Sequence, residues 1–235
     1  MRNSNNKSSF YDFHLSVVLL SGGMDSATAL GIAASDNHRL ALIHFDYGQR
    51  NRTNERRAFE ALAKHYDAEK TLIVPMGFLR EIGGSALTDE TISVPDEMPE
   101  NDEIPPTYVP FRNGIMLSIA SAWAEVLGAK RIYAGFVEED SSGYPDCREI
   151  FVDAMRKAIN LGRRPESEVE IITPLLHLRK SEIVKLGTKL GVPYELTYSC
   201  YLGGEKHCGK CPACRLRKKA FREAQIKDPT QYIEH

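Results

Sequence analysis

The segment Ser21-Gly22-Gly23-Met24-Asp25-Ser26 directly follows the apolar run Leu15-Ser16-Val17-Val18-Leu19-Leu20 and opens a helix-like stretch. A buried strand, a tight turn and a helix start are therefore set down in that order. Two adjacent glycines let the backbone come close to an anion, while Ser21, Ser26 and the free amides of a helix start supply donors. The segment reads as a phosphate cradle. The bland alternative is an ordinary tight turn between strand and helix, which serines on both sides of the glycine pair make the poorer reading. A Walker A loop is excluded, because that pattern ends in Gly-Lys-Ser/Thr and no lysine stands near Gly23.

Short apolar runs alternate with helical patterns along the chain, the signature of parallel βαβ units. Strands are predicted over Ser16–Leu20, Leu40–Phe45, Lys70–Val74, Arg131–Gly135 and Val169–Thr173. Helices are predicted over Asp25–Ala34, Thr53–Tyr66, Asn113–Leu127, Ile150–Asn160 and Lys180–Leu190, with Gly128 and Gly191 just past two of their ends. The expected fold is α/β, a doubly wound, mostly parallel sheet with helices on both faces. Ligands bind such sheets beyond the carboxyl ends of the strands, so Asp46 to Arg50 and Phe136 to Asp140 should ring the same cleft as Ser21 to Ser26.

Composition narrows the class. At 235 residues, 42% hydrophobic and net charge −2, the chain can bury a sizeable core and has no broad affinity for nucleic acid. Arg215, Arg217, Lys218, Lys219 and Arg222 form a local basic cluster, read as a solvated helix face. No run approaches the ~18 apolar residues that span a bilayer, and the polar start lacks a secretion signal, so a cytoplasmic enzyme is expected. Residues 1–13 should form a disordered tail, residues 14–195 the nucleotide-binding body, and residues 196–235 a metal-binding region. Within the body, residues 83–110 carry five prolines and no clear periodicity, and are expected to be a lid that orders over substrate.

Four of the five cysteines crowd into Cys200-x7-Cys208-x2-Cys211-x2-Cys214. Sulfurs at that spacing close a tetrahedron around Zn²⁺, with Gly209 and Pro212 shaping the turns between them. A disulfide pair and an iron–sulfur cluster are the alternatives. With four thiolates the metal has no open position, so it should be structural, one per chain, pinning a region too polar to hold by burial alone.

The Ser-Gly-Gly-x-Asp-Ser form resembles the pyrophosphate loop of ATP pyrophosphatases, which cut ATP between the α and β phosphates to adenylate a substrate oxygen. The resemblance becomes specific in the order of the other motifs. The loop is followed by Phe45-Asp46-Tyr47-Gly48-Gln49-Arg50, Val109-Pro110-Phe111-Arg112-Asn113, Asp140-Ser141-Ser142-Gly143-Tyr144-Pro145-Asp146-Cys147-Arg148, Thr173-Pro174-Leu175, Lys180-Ser181-Glu182 and the cysteines. From about Leu15 to Arg222 the chain resembles the 7-cyano-7-deazaguanine synthase family. One departure is Asn51, which stands where that family often has histidine.

The resemblance implies a Rossmann-like pyrophosphate-loop ATPase fold with a small C-terminal zinc-binding appendage. It also implies an ATP-dependent ligase that converts 7-carboxy-7-deazaguanine and ammonia to the nitrile, on the route to queuosine or archaeosine, and a homodimer with no stable nucleic-acid partner. ATP, Mg²⁺ and Zn²⁺ are the expected cofactors. Leu20, Ser21, Gly22, Gly23, Met24, Asp25, Ser26, Ala27, Thr28, Ala29 and Leu30 would bind the nucleotide, with Asp25, Lys180 and Arg112 as the catalytic set. Arg50, Arg112, Asn113, Asp140, Tyr144, Asp146 and Arg148 are the candidate substrate contacts, joined by Glu138 as an acceptor and Phe136 as a stacking surface. Two rival readings remain. One is a tRNA-thiolating or other adenylating enzyme in which Cys147 carries sulfur; the other is a zinc module that binds nucleic acid or protein without catalysis.

Overall fold

Val17, Val18, Leu19 and Leu20 are all buried, although neighbouring residues of a strand point to opposite faces. Both faces of this strand must therefore be covered, as in a parallel sheet wrapped by helices. A computed structural model describes residues 12–36, 39–96, 103–138 and 143–234 of the chain. Its strands are β1 (Asp12–Leu19), β2 (Arg39–Asp46), β3 (Lys70–Pro75), β4 (Ala129–Ala134) and β5 (Glu170–Ile172), all parallel, in the order β3-β2-β1-β4-β5. The order reverses between β1 and β4. That switch point is where a doubly wound sheet opens a crevice.

The helices are α1 (Met24–Asp36), α2 (Arg52–His65), α3 (Phe78–Ile82), α4 (Arg112–Leu127), α5 (Glu149–Leu161), α6 (Lys180–Lys189) and α7 (Pro212–Ala224). On one face Leu15, Val17 and Leu19 of β1 pack with Ile43, Ile132 and the α4 and α5 residues Leu117, Ala120 and Val152. On the other, Val18 and Leu20 meet Leu30 of α1, Phe59 of α2, Val184 of α6 and Phe221 of α7. Gly128 and Gly191 follow α4 and α6 with φ of 70° and 72°, the left-handed step that ends a helix.

The predicted strands and helices are all present, and four differences are informative. β1 begins at Asp12 rather than Ser16, so the expected tail lies outside the described residues except for Asp12 and Phe13. α3 is a five-residue helix that the periodicity does not reveal. Arg217 is not part of a solvated basic face: only 1% exposed, it donates to Thr197 Oγ1 at 2.7 Å and Tyr194 O at 3.1 Å and pairs with Asp228 at 3.2 Å. Its basic neighbours Arg215, Lys218, Lys219 and Arg222 are more open to solvent.

The last difference concerns residues 83–110, whose ends are anchored. Ser85 to Thr88, Thr107 and Val109 are buried, and Ala86 N–H donates to Pro106 O at 2.7 Å. Residues 97–102 of this segment lie outside the described part.

Candidate active site

The turn after β1 is shaped by two glycines in different ways. Gly22 has φ +90°, and a Cβ there would lie 2.8 Å from Glu55 O and 2.9 Å from Ala58 Cβ, so α2 can pack against the loop only because the side chain is absent. Gly135, just past β4, comes equally close: its Cβ would stand 2.9 Å from the backbone of Asp25 and Ser26. The loop is thus wedged between α2 and the end of β4. Its serines support one another, Ser21 Oγ lying 3.0 Å from Ser26 Oγ and accepting from Gly23 N–H at 3.2 Å, while Ser26 Oγ donates to Gly23 O at 3.0 Å.

A cavity of about 280 Å³ opens at this point, lined among others by Ser21, Asp25, Ser26, Arg112, Lys180 and Tyr198. Lys180, the first residue of α6, holds Asp25 Oδ2 at 2.5 Å, and Asp25 Oδ1 is buried without a partner. Arg112, the first residue of α4, enters from the other side, donating to Tyr47 Oη at 2.8 Å with its guanidinium 5.0 Å from that ring. Phe111 takes the left-handed conformation at φ 54° to make this entry. The arrangement offers two cations, a glycine turn and a helix start to a polyphosphate.

The sequence-predicted residues divide between this cavity and its surroundings. Ser21, Gly23, Met24, Asp25, Ser26, Arg112, Asn113, Tyr144, Phe136 and Lys180 line it. Leu20 and Ala27 to Leu30 are core residues of β1's end and α1, Thr28 Oγ1 bonding Met24 O and Tyr194 Oη. Arg50 does not turn into the cavity. Its guanidinium donates to the carbonyls of Ala86, Asp89 and Ile92, fastening the long segment instead. Asp146 is buried under the wall, where its Oδ2 accepts Asn113 N–H at 2.9 Å and burial raises its carboxyl above the usual range. Arg148 is exposed and donates to Pro145 O, and Glu138 accepts Glu149 N–H. Asp140 lies outside the described residues.

Cys147 lines the cavity too, but burial pushes its thiol up to about 12. Burial thus disfavours the thiolate that a nucleophile requires. It accepts a hydrogen bond from Asn113 Nδ2 at 3.2 Å, packing as a small apolar residue.

Like Tyr198 and Tyr201 of the cysteine module, Glu55 is a site residue that sequence reasoning missed. It stands in the first turn of α2 and lines the cavity, with Oε2 accepting from Gln49 Nε2 at 2.7 Å and Oε1 from Asn51 Nδ2 at 3.1 Å. Desolvation pushes its carboxyl up to about 7. The signal for it was an acid one turn after Gln49-Arg50-Asn51 in a helix whose neighbours Arg52, Arg56 and Arg57 are plainly solvent-facing.

The four clustered cysteines come together as spacing demands, their sulfurs all within 4.8 Å of one another. Backbone N–H groups of Cys208, Lys210 and Cys211 point at these sulfurs at 3.3–3.4 Å, as thiolates bound to a cation require. The donor set therefore fits a metal ion. This module is tied directly to the cavity: Tyr198 N–H donates to Gly22 O at 2.9 Å, and Asn51 Nδ2 bridges Glu55 and Cys200 O.

The family described as "Queuosine biosynthesis protein QueC" matches residues 15–225. The 7-cyano-7-deazaguanine synthase of a Nitratiruptor species is 52% identical over 216 residues, 92% of this chain and 97% of that protein. Its counterpart in Nautilia profundicola is 50% identical over 216 residues, with coverage of 92% and 97%. A solved 4-thiouridine synthetase–RNA complex with bound ATP shares the fold at TM-score 0.50 and 19% identity, covering 90% of this chain and 50% of that one.

Proposed function

Since the chain belongs to the queuosine biosynthesis protein QueC family, we propose that it joins ammonia to 7-carboxy-7-deazaguanine at the expense of ATP, forming 7-cyano-7-deazaguanine. It is an enzyme of queuosine biosynthesis, a ligase built on a pyrophosphate-loop fold. The substrate assignment follows the 7-cyano-7-deazaguanine synthases this chain resembles, and the observation that supports its ATP-dependent step is the meeting of Asp25, Lys180 and Arg112 with the glycine loop in one cavity at the sheet's switch point.

A carboxylate resists ammonia because its oxygen leaves badly. Transfer of AMP to that oxygen creates an acyl adenylate with a stable leaving group, and pyrophosphate departs. The loop amides, Ser26 and Lys180 hold the departing pyrophosphate, while Arg112 lies where charge grows on the α-phosphate or the substrate carboxylate. Ammonia displaces AMP to give the amide. Amide oxygen leaves equally badly, so a second ATP activates it, and loss of AMP and a proton yields the nitrile. One loop serves both activations.

Mg²⁺, if bound with the nucleotide, would neutralise charge on the phosphates, and the buried, unpartnered Asp25 Oδ1 would be a ligand available to it. Zn²⁺ is the metal we assign to Cys200, Cys208, Cys211 and Cys214; a shell of four thiolates would leave it no open position for chemistry. Reduced thiols in such a cluster suit the cytoplasm, and no helix among the described residues is long and apolar enough to cross a membrane. A homodimer is the proposed assembly, supported by Val126 of α4 and Ile150 and Leu161 of α5, all more than two-thirds exposed. Sulfur transfer is disfavoured by the protonated Cys147.

Incubation with 7-carboxy-7-deazaguanine, ammonium and ATP·Mg²⁺, read by mass spectrometry, tests the assignment. Nitrile is expected only when all three are present, and its absence from the complete mixture would overturn the reading.

A further inference from the structure

Among the described residues two carboxyl groups line the cavity, and they are in different states of engagement. Asp25 is committed to Lys180 at 2.5 Å. Glu55 has no ion-pair partner among the described residues; only the neutral amides of Gln49 and Asn51 hold it, and each of its oxygens keeps a lone pair free. Among the described residues no histidine lines the cavity, and its other ionisable side chains are cations, tyrosines or Cys147, whose thiol burial pushes up. One acid of the site is thus oriented by hydrogen bonds and left free to take a proton.

The reaction needs such a group. When ammonia attacks an acyl adenylate, the new C–N bond puts positive charge on nitrogen, and that nitrogen must lose a proton as the C–O bond to AMP breaks. We propose that Glu55 is the catalytic residue that accepts this proton from the incoming ammonia, in an ammonia subsite beside Tyr47. The carbonyl carbon gains the nitrogen, AMP leaves with the electron pair of the C–O bond, and the surplus proton moves to Glu55 and then to solvent. In the second activation the adenylated imidate loses AMP and its N–H proton, and the same carboxylate receives it. This inference rests on the ligase reading and assigns the base that reading lacks.

The environment suits the role. The charged and titratable groups facing Glu55 are Arg112 from α4 and Asp46 and Tyr47 from the end of β2; desolvation dominates among them and leaves the carboxyl near neutrality, where a proton acceptor works best. A purely structural Glu55, present to orient Gln49 and Asn51, would share the geometry but not the chemistry.

The test separates adenylation from nitrogen transfer in Glu55→Gln. Pyrophosphate exchange into ATP, driven by 7-carboxy-7-deazaguanine without ammonia, should stay within about threefold of wild type. Amide formation from ammonia should fall by about 10²-fold or more, as for loss of a general base. Hydroxylamine, a stronger nucleophile that is largely unprotonated at neutral pH, should still trap the adenylate as hydroxamate. The wild-type rate should also follow a group titrating near neutrality, and the variant should lose that dependence. Equal loss of exchange and amide formation would reduce Glu55 to a prop for the phosphate loop, and undiminished ammonia transfer would remove it from the chemistry; either overturns the proposal. Should Glu55→Gln not fold, Glu55→Asp is read by the same two rates. Wild-type enzyme without substrate-dependent exchange would instead mean that the ligase reading itself is wrong.

Discussion

Replacing Gly22 by alanine tests whether the loop is wedged as the structure shows, and Gly23→Ala is its internal control. At Gly22 the backbone has φ +90°, a conformation that costs an L-residue about 1–2 kcal/mol. The added methyl would also meet Glu55 O at 2.8 Å and Ala58 Cβ at 2.9 Å, and neither is the end of a flexible side chain. Overpacking of that kind costs about 1–3 kcal/mol, for a sum of about 2–5 kcal/mol. In a chain of this size each kcal/mol lowers Tm by about 2–4 °C, so a drop of about 4–20 °C is expected.

Gly23 differs in both respects. Its φ is not positive, and a Cβ there would touch Ser21 Oγ at 3.4 Å and Tyr198 O at 3.7 Å. Removing a glycine's unfolded-state freedom offsets about 0.4–1 kcal/mol of that crowding, so the melting temperature should move by no more than about 3 °C. Thermal unfolding of the two variants without nucleotide makes the comparison. Equal shifts, or a larger one for Gly23→Ala, would refute the packing argument.

Other consequences are smaller in scope. Lys180→Ala leaves Asp25 half-buried and unpaired and should lower turnover by about 10²–10³-fold, measured as AMP release. Iodoacetamide at pH 8 should leave Cys147 of the native enzyme unlabelled by peptide mass mapping, because its thiol titrates at about 12. Glu55 titrates near 7 when folded and near 4.5 when unfolded, so its burial removes stability as pH rises between those values; Glu55→Gln should gain on wild type over pH 5–8 by at most about 3 kcal/mol in chemical denaturation. Chelation should release about one Zn²⁺ per chain, and through the Tyr198–Gly22 hydrogen bond it should weaken ATP binding in calorimetry as well as loosen the cysteine module. Metal-free protein with unchanged ATP affinity would break that link.

Where a feature was legible in the sequence, a local rule governed it. β1 to β5 follow from short apolar runs, the cysteine cluster from ligand spacing, and the phosphate loop from a glycine pair at a strand end. What stayed hidden depends on contacts between distant segments. Arg217 sits in a run of basic residues and looks solvated, yet Asp228, eleven residues away, and the Tyr194 and Thr197 turn bury it. Arg50 suggests an anion site but is consumed by three backbone carbonyls, which no side-chain pattern announces. Glu55 has the look of a solvated first-turn acid, yet it lines the cavity, where burial raises its carboxyl while Gln49 and Asn51 hold it. β1 extends to Asp12 because ladder pairing with Ala129 needs no apolar side chain there.

In the proposed reaction the loop after β1 directs cleavage between the α and β phosphates of ATP, twice for each nitrile formed. Counting products in one sealed incubation tests it most directly. Two AMP and two pyrophosphate should appear per 7-cyano-7-deazaguanine, with no ADP; accumulation of ADP and orthophosphate in proportion to nitrile would contradict the account.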